Sequence, residues 1–127
     1  MIGLPRHLLG MEAATTVFEA ALLGVSSGAE RPHPVMDLTA RADADLPAGS
    51  LLVAEGHHHT IAHVSGRMTP ARALSDATPI PYYLLSGRRL KRDVQAGRMI
   101  LCGDVDLDTG SELFRLRAAQ DAVTDWS

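Results

Sequence analysis

Little in this chain's composition points to chemistry. It has a single cysteine, Cys102, which rules out an internal disulfide framework and fits a reducing compartment. Aromatic residues make up only 4% against a hydrophobic share of 46%, so a core must be built from Leu, Val, Ile, Ala and Met. No apolar run is long enough to span a bilayer. The stretch over 20–29 has the look of a secretory signal's end, but Glu12 and Glu19 interrupt the apolar core such a signal needs. Net charge is −3 with the cations dispersed, which leaves no concentrated basic face for phosphate. No Gly-x-Gly-x-x-Gly follows a strand pattern, so no dinucleotide cradle is expected. These absences predict a soluble, cytoplasmic chain with no membrane and no nucleic-acid partner.

What is present is a repeat. Asp45-Leu46-Pro47-Ala48-Gly49 returns as Asp93-Val94-Gln95-Ala96-Gly97, and a short apolar run follows each copy: Leu51-Leu52-Val53 and Met99-Ile100-Leu101. Aspartate before a turn accepts bonds from backbone N–H groups one or two residues on, and Gly49 and Gly97 suit positive φ. Two copies of extended segment, turn and apolar strand predict a pseudo-symmetric β module.

The 127 residues are enough for one domain, which at this size buries roughly two thirds of its unfolded surface, with an appended helix. Pro5 opens that helix, and Leu8, Met11, Thr15, Phe18, Leu22 and Val25 recur at helical steps until Gly24 to Gly28 stop it. Residues 1–29 therefore form an amphipathic helix and linker, and 30–127 a β domain. Alternation over 35–44 marks a first strand, with Met36, Leu38, Ala40 and Ala42 on one face. Residues 51–54 are a second strand and 56–66 are less regular. Thr69 and Pro70 read as N-cap and first position of a short helix over 69–74. Residues 79–85 are extended because of their prolines, and 88–92 and 98–101 are strands. Ser111 caps a final helix through Asp121, with Leu113 and Leu116 on one side. The fold class is mainly β (α+β).

The twice-given pattern of strand, Asp-aliphatic-x-Ala-Gly turn and apolar strand resembles the SAF domain, a β-clip fold. The chain carries Pro5-Arg6-His7-Leu8, then residues 39–49, then Leu90-Lys91-Arg92-Asp93-Val94 and Leu113-Phe114-Arg115-Leu116-Arg117-Ala118-Ala119-Gln120. Together these are similar to the C-terminal SAF portion of homoserine-dehydrogenase-like NAD(P)-dependent oxidoreductases. The family's dinucleotide-binding half has no counterpart here. The resemblance implies a stand-alone binding or accessory module with no cofactor on this chain. It would act beside a separate Rossmann-type subunit or a sugar-acid-metabolising partner, or self-associate, through the N-terminal helix. The enzymatic alternative is a small subunit resembling altronate or galactarate dehydratases with a His-bound metal.

Candidate sites are few. If 51–64 is extended, His57, His59 and His63 share a face and can hold a divalent metal, with Glu55 nearby; a solvated loop explains the same residues. Arg89, Lys91 and Arg92 form the densest basic patch, and Arg forks suit the carboxylate of a sugar acid. Charge guarding an edge strand explains them as well. Tyr82, with Tyr83, lines a groove or packs beside its prolines. Cys102 reads as a small core hydrophobe.

Overall fold

The computed structural model describes residues 9–26 and 33–126. Contacts divide the chain into two units, residues 1–33 and 34–127.

In the first unit, α1 (Leu9–Phe18) continues as a π-helical turn over Glu19–Leu23. Gly24, at φ 65°, ends it in the left-handed conformation and donates its N–H to Glu19 O, the role glycine fills most readily at a helix C-terminus. Phe18, Leu22 and Leu23 are exposed. Pro5 and Leu8 lie outside the described residues.

The second unit is mixed α+β. Strands β1 (Met36–Ala42), β3 (Ala54–Glu55), β4 (Thr60–Ile61) and β5 (Val64–Pro70) form an antiparallel sheet in the order β1-β5-β4-β3. Strands β2 (Leu51–Leu52) and β6 (Arg88–Arg89) form a separate antiparallel pair, and α2 (Glu112–Val123) follows. Ala40 and Ala42 leave room for two further segments beside β1. Ala40 N–H donates to Ile80 O at 3.1 Å, and Ile100 N–H donates to Ala40 O at 2.9 Å. Ile80, Leu85, Ile100 and Val105, all fully buried, fill the core around them, each contributing roughly 1.5–3 kcal/mol of burial.

The two copies of the repeat interlock. Ala48 N–H donates to Asp93 Oδ1 and Ala96 N–H to Asp45 Oδ1, both at 2.8 Å. Leu46 and Val94 exchange both backbone hydrogen bonds; Gly49 N–H donates to Leu90 O, and Gly97 N–H to Ala42 O. Leu90 N–H reaches Ser50 O as Ala42 N–H reaches Arg98 O. Gly49 and Gly97 sit at φ 83° and 81°, as the turns require. The aspartates differ from expectation: each caps the other copy's turn, not its own. The reason is topological, because the mutual pairing of Leu46 with Val94 brings each carboxylate beside the opposite turn.

Several local expectations change. Residues 69–74 are not a helix: Thr69 and Pro70 end β5, and the register Asp37↔Thr69 and Met36↔Pro70 extends its pairing with β1 to seven residues. That long-range ladder overrides the local cap signature. The extended run over 79–85 holds through Pro81 and then winds into a 3₁₀ turn at Tyr82–Leu84. The strand expected over 88–92 is confined to β6, and 98–101 pairs only through the bridges Arg41↔Met99 and Pro79↔Leu101. Ser111 does cap α2, its hydroxyl accepting from Phe114 N–H at 3.3 Å.

Candidate functional site

The basic patch turns inward to the protein's own backbone and acids. Arg92 Nε lies 3.0 Å from Asp104 Oδ1, and its Nη2 donates to Gly103 O. Asp104 is buried, its other oxygen accepting from Leu101 N–H, so Arg92 compensates a carboxylate that burial would otherwise destabilise. Arg89 Nη1 donates to Gly49 O at 2.9 Å and its backbone N–H to Asp106 Oδ1, tying β6 to the first turn. Arg88 faces Asp108 at 3.9 Å. Lys91 is exposed, and its ammonium has no partner among the described residues. The guanidinium groups of Arg89 and Arg92 thus spend donors on structural acceptors.

Tyr82 belongs to a different place. Its hydroxyl accepts from Ile61 N–H at 3.0 Å, and its ring lines a groove of about 530 Å³ with Leu38, Ala54, Ile61, Tyr83, Ser86, His58 and His59. The lining is mostly apolar with a few polar groups, the usual character of a binding surface. None of Arg89, Lys91 and Arg92 reaches it.

The histidines are separated by two reversals of the chain. Residues 51–64 are not one extended segment: β3 and β4 pair through Ala54↔Ile61 and Glu55↔Thr60, and β4 returns into β5 at Ile61↔Val64. His57 and His59 occupy the first turn and His63 the second. His59 and His63 take positive φ, 50° and 60°, which for side-chain-bearing residues occurs chiefly in turns. His57 and His58 lie in contact with ring centroids 3.6 Å apart and planes tilted by 43°. Among the described residues, no group of three or more His, Cys, Asp or Glu is gathered so as to hold a metal.

The sequence pattern does not announce the most highly organised polar cluster, which centres on Arg117. Arg117 is 4% exposed. Its Nη1 and Nη2 grip Asp37 at 3.0 and 2.8 Å; Nε donates to Asp121 at 2.9 Å. Nη1 also donates to Tyr83 Oη and Nη2 to Arg72 O. Every guanidinium N–H finds an acceptor. Burial works against the charge, but the hydrogen bonds Arg117 donates to Asp37, Tyr83 and Asp121 outweigh it and push the pKa above the ordinary arginine value. Asp121 Oδ2 also accepts from Leu74 N–H, which holds the segment expected to be helical. The inward face of α2 is therefore Phe114, Arg117 and Asp121, while Leu113 and Leu116 face solvent, at 46% and 60% exposed. The i,i+4 spacing of Arg117 and Asp121 was a usable signal, masked by the leucines.

Cys102 is buried beside Thr78, and burial pushes its thiol pKa up, as suits a packed hydrophobe. No helix among the described residues is long and apolar enough to cross a membrane. No family model matches the chain, and no curated protein matches its sequence.

Proposed function

We propose that this chain is a SAF-type, β-clip accessory module that binds a separate oxidoreductase or sugar-acid-metabolising partner rather than carrying the chemistry itself. The scaffold half of this reading is supported by the exchanged turns, in which Asp45 and Asp93 each cap the other copy. The binding half rests on the groove of Leu38, Ala54, Ile61, Tyr82 and Tyr83, the feature that carries the proposal. An open surface with apolar lining beside polar tyrosine and histidine groups suits docking of a protein segment. The N-terminal helix, with Phe18 and Leu22 exposed, is a second contact for a Rossmann-type subunit or for another copy.

Gene neighbourhood and co-expression test the reading together. A neighbouring Rossmann oxidoreductase that lacks its own C-terminal half should form a stable complex with this chain, and Leu38→Asp should weaken that complex. Turnover of a hexonate or hexarate by the purified chain alone, with stoichiometric metal lost in a His57→Ala/His59→Ala variant, would replace this reading with the dehydratase one.

A further inference from the structure

The hydrogen-bond directions of β1 determine which groups of β5 are unpaired. Ala40 and Ala42 direct their N–H and C=O groups away from β5, toward Ile80, Arg98, Ile100 and Gly97. Thr39 and Arg41 therefore pair with β5, and their register partners Arg67 and Ser65 face β1. It follows that Gly66 and Met68 turn their backbone groups to the opposite edge. On that edge β4 meets β5 only at Val64, and among the described residues no strand pairs beyond it. Gly66, Arg67 and Met68 are exposed. Such an edge is a template for another strand.

We infer that the open edge of β5 is a two-fold interface that joins two copies of this chain in one continuous antiparallel sheet, with the axis at Met68. A centre at Thr69 would set Met68 against Pro70, which has no N–H to return a bond, and of the centres at Gly66, Arg67 and Met68 the first two fail. An axis at Gly66 needs the backbone groups of Val64, which β4 already uses. An axis at Arg67 would set that cation directly against itself, an unfavourable cross-strand pair. At Met68 the two copies exchange a reciprocal pair of bonds between their Met68 residues, and each Gly66 N–H meets the opposite Pro70 carbonyl. Arg67 then faces Thr69 of the other copy.

The side chains agree with this register. Leu38 and Met68 are cross-strand partners, exposed by 46% and 62%. Pairing at Met68 sets the two Met68 side chains against each other on the face that carries Leu38, so each Met68 covers apolar surface of the other while Leu38 keeps its place in the groove. Pro70, which has no N–H, and the β4 hairpin bound the edge at either end, so the contact closes as a dimer and does not propagate. The inference deepens the proposed self-association and relocates it from the helix to the sheet.

Light scattering on the full chain at micromolar concentration tests it, using Met68→Lys, Met68→Cys and Phe18→Glu/Leu22→Glu variants. A dimer is expected for wild type and for the helix variant, and a monomer for Met68→Lys. Directly paired residues of this type lie about 5.5 Å apart at Cα, within the roughly 4.4–6.8 Å reach of a disulfide. Met68→Cys should therefore form a covalent dimer on mild oxidation, while wild type, with Cys102 buried, should not. A monomeric wild type overturns the inference, as does absence of the cross-link. A dimer lost only in the helix variant overturns it too, while leaving helix-mediated association standing.

Discussion

Replacing Arg117 with Met keeps much of the side chain's volume and removes the charge from a cluster of two carboxylates. Asp37 and Asp121 are left with side chains only 15% and 13% exposed and without their cation. Tyr83 Oη and Arg72 O lose donors as well. Breaking a buried pair by deleting one partner costs about 3–5 kcal/mol, against a total stability of roughly 5–15 kcal/mol for a domain. At about 4–8 °C per kcal/mol for a domain of this size, Arg117→Met should lower the melting temperature by at least ~12 °C. Arg117→Lys retains a point charge but cannot reproduce the bidentate grip on Asp37, so it should fall in between. A triple change, Asp37→Leu, Arg117→Met and Asp121→Leu, removes the stranded charges and should recover part of the loss. Urea titration followed by circular dichroism reads all three. A change below ~0.5 kcal/mol in Arg117→Met, the size of an ordinary surface substitution, would refute the assignment of Arg117 as the clamp of α2.

Two further outcomes follow from smaller features. Hydrogen bonds from Arg41 and Ser65 hold the Asp43 carboxyl below its ordinary 3.8. Because its folded pKa is depressed, Asp43 contributes stability above its unfolded pKa, and that contribution is lost as pH falls through the folded value. Carboxyl-resolved NMR titration should therefore place Asp43 below 3.8, and Ser65→Ala should move it upward; an unchanged midpoint would contradict the bond. Burial and a raised pKa should keep Cys102 unreactive to a thiol reagent at pH 8 until the protein unfolds, with labelling tracking the urea transition. Rapid labelling of the native protein would show that the thiol is accessible.

The sequence makes legible those features whose cause is local. Ser111 predicts the start of α2 because a hydroxyl at that position satisfies an orphan N–H of the first turn. Gly49 and Gly97 announce their turns because no other residue takes positive φ so cheaply. Thr69 and Pro70 mislead for the complementary reason: their local preference is for a helix start, and the β1 ladder that overrides it lies about thirty residues away. For the histidines, a shared face depends on 51–64 running as one extended segment, and the pairings that insert two turns there, Ala54 with Ile61 and Ile61 with Val64, carry no mark in the spacing. Arg117 escapes notice because an apolar count along α2 favours Leu113 and Leu116, while the inward face is chosen by Asp37 from a distant strand. The groove around Tyr82 likewise gathers residues from β1, the β3–β4 hairpin and the 3₁₀ turn, a juxtaposition that no spacing encodes.

The exchange of turns is the center of the account, since the pseudo-symmetric scaffold and the reading built on it both depend on it. Amide hydrogen exchange on Asp45→Ala measures it directly. If each aspartate caps the opposite copy, Asp45→Ala deprotects the Ala96 amide and leaves Ala48, held by Asp93, protected. Loss of a bond to a charged acceptor of about 1.5–3 kcal/mol should accelerate local exchange at Ala96 by at least ~10-fold. Deprotection at Ala48, with Ala96 unchanged, would mean that each turn is closed by its own aspartate and that the two copies are not exchanged.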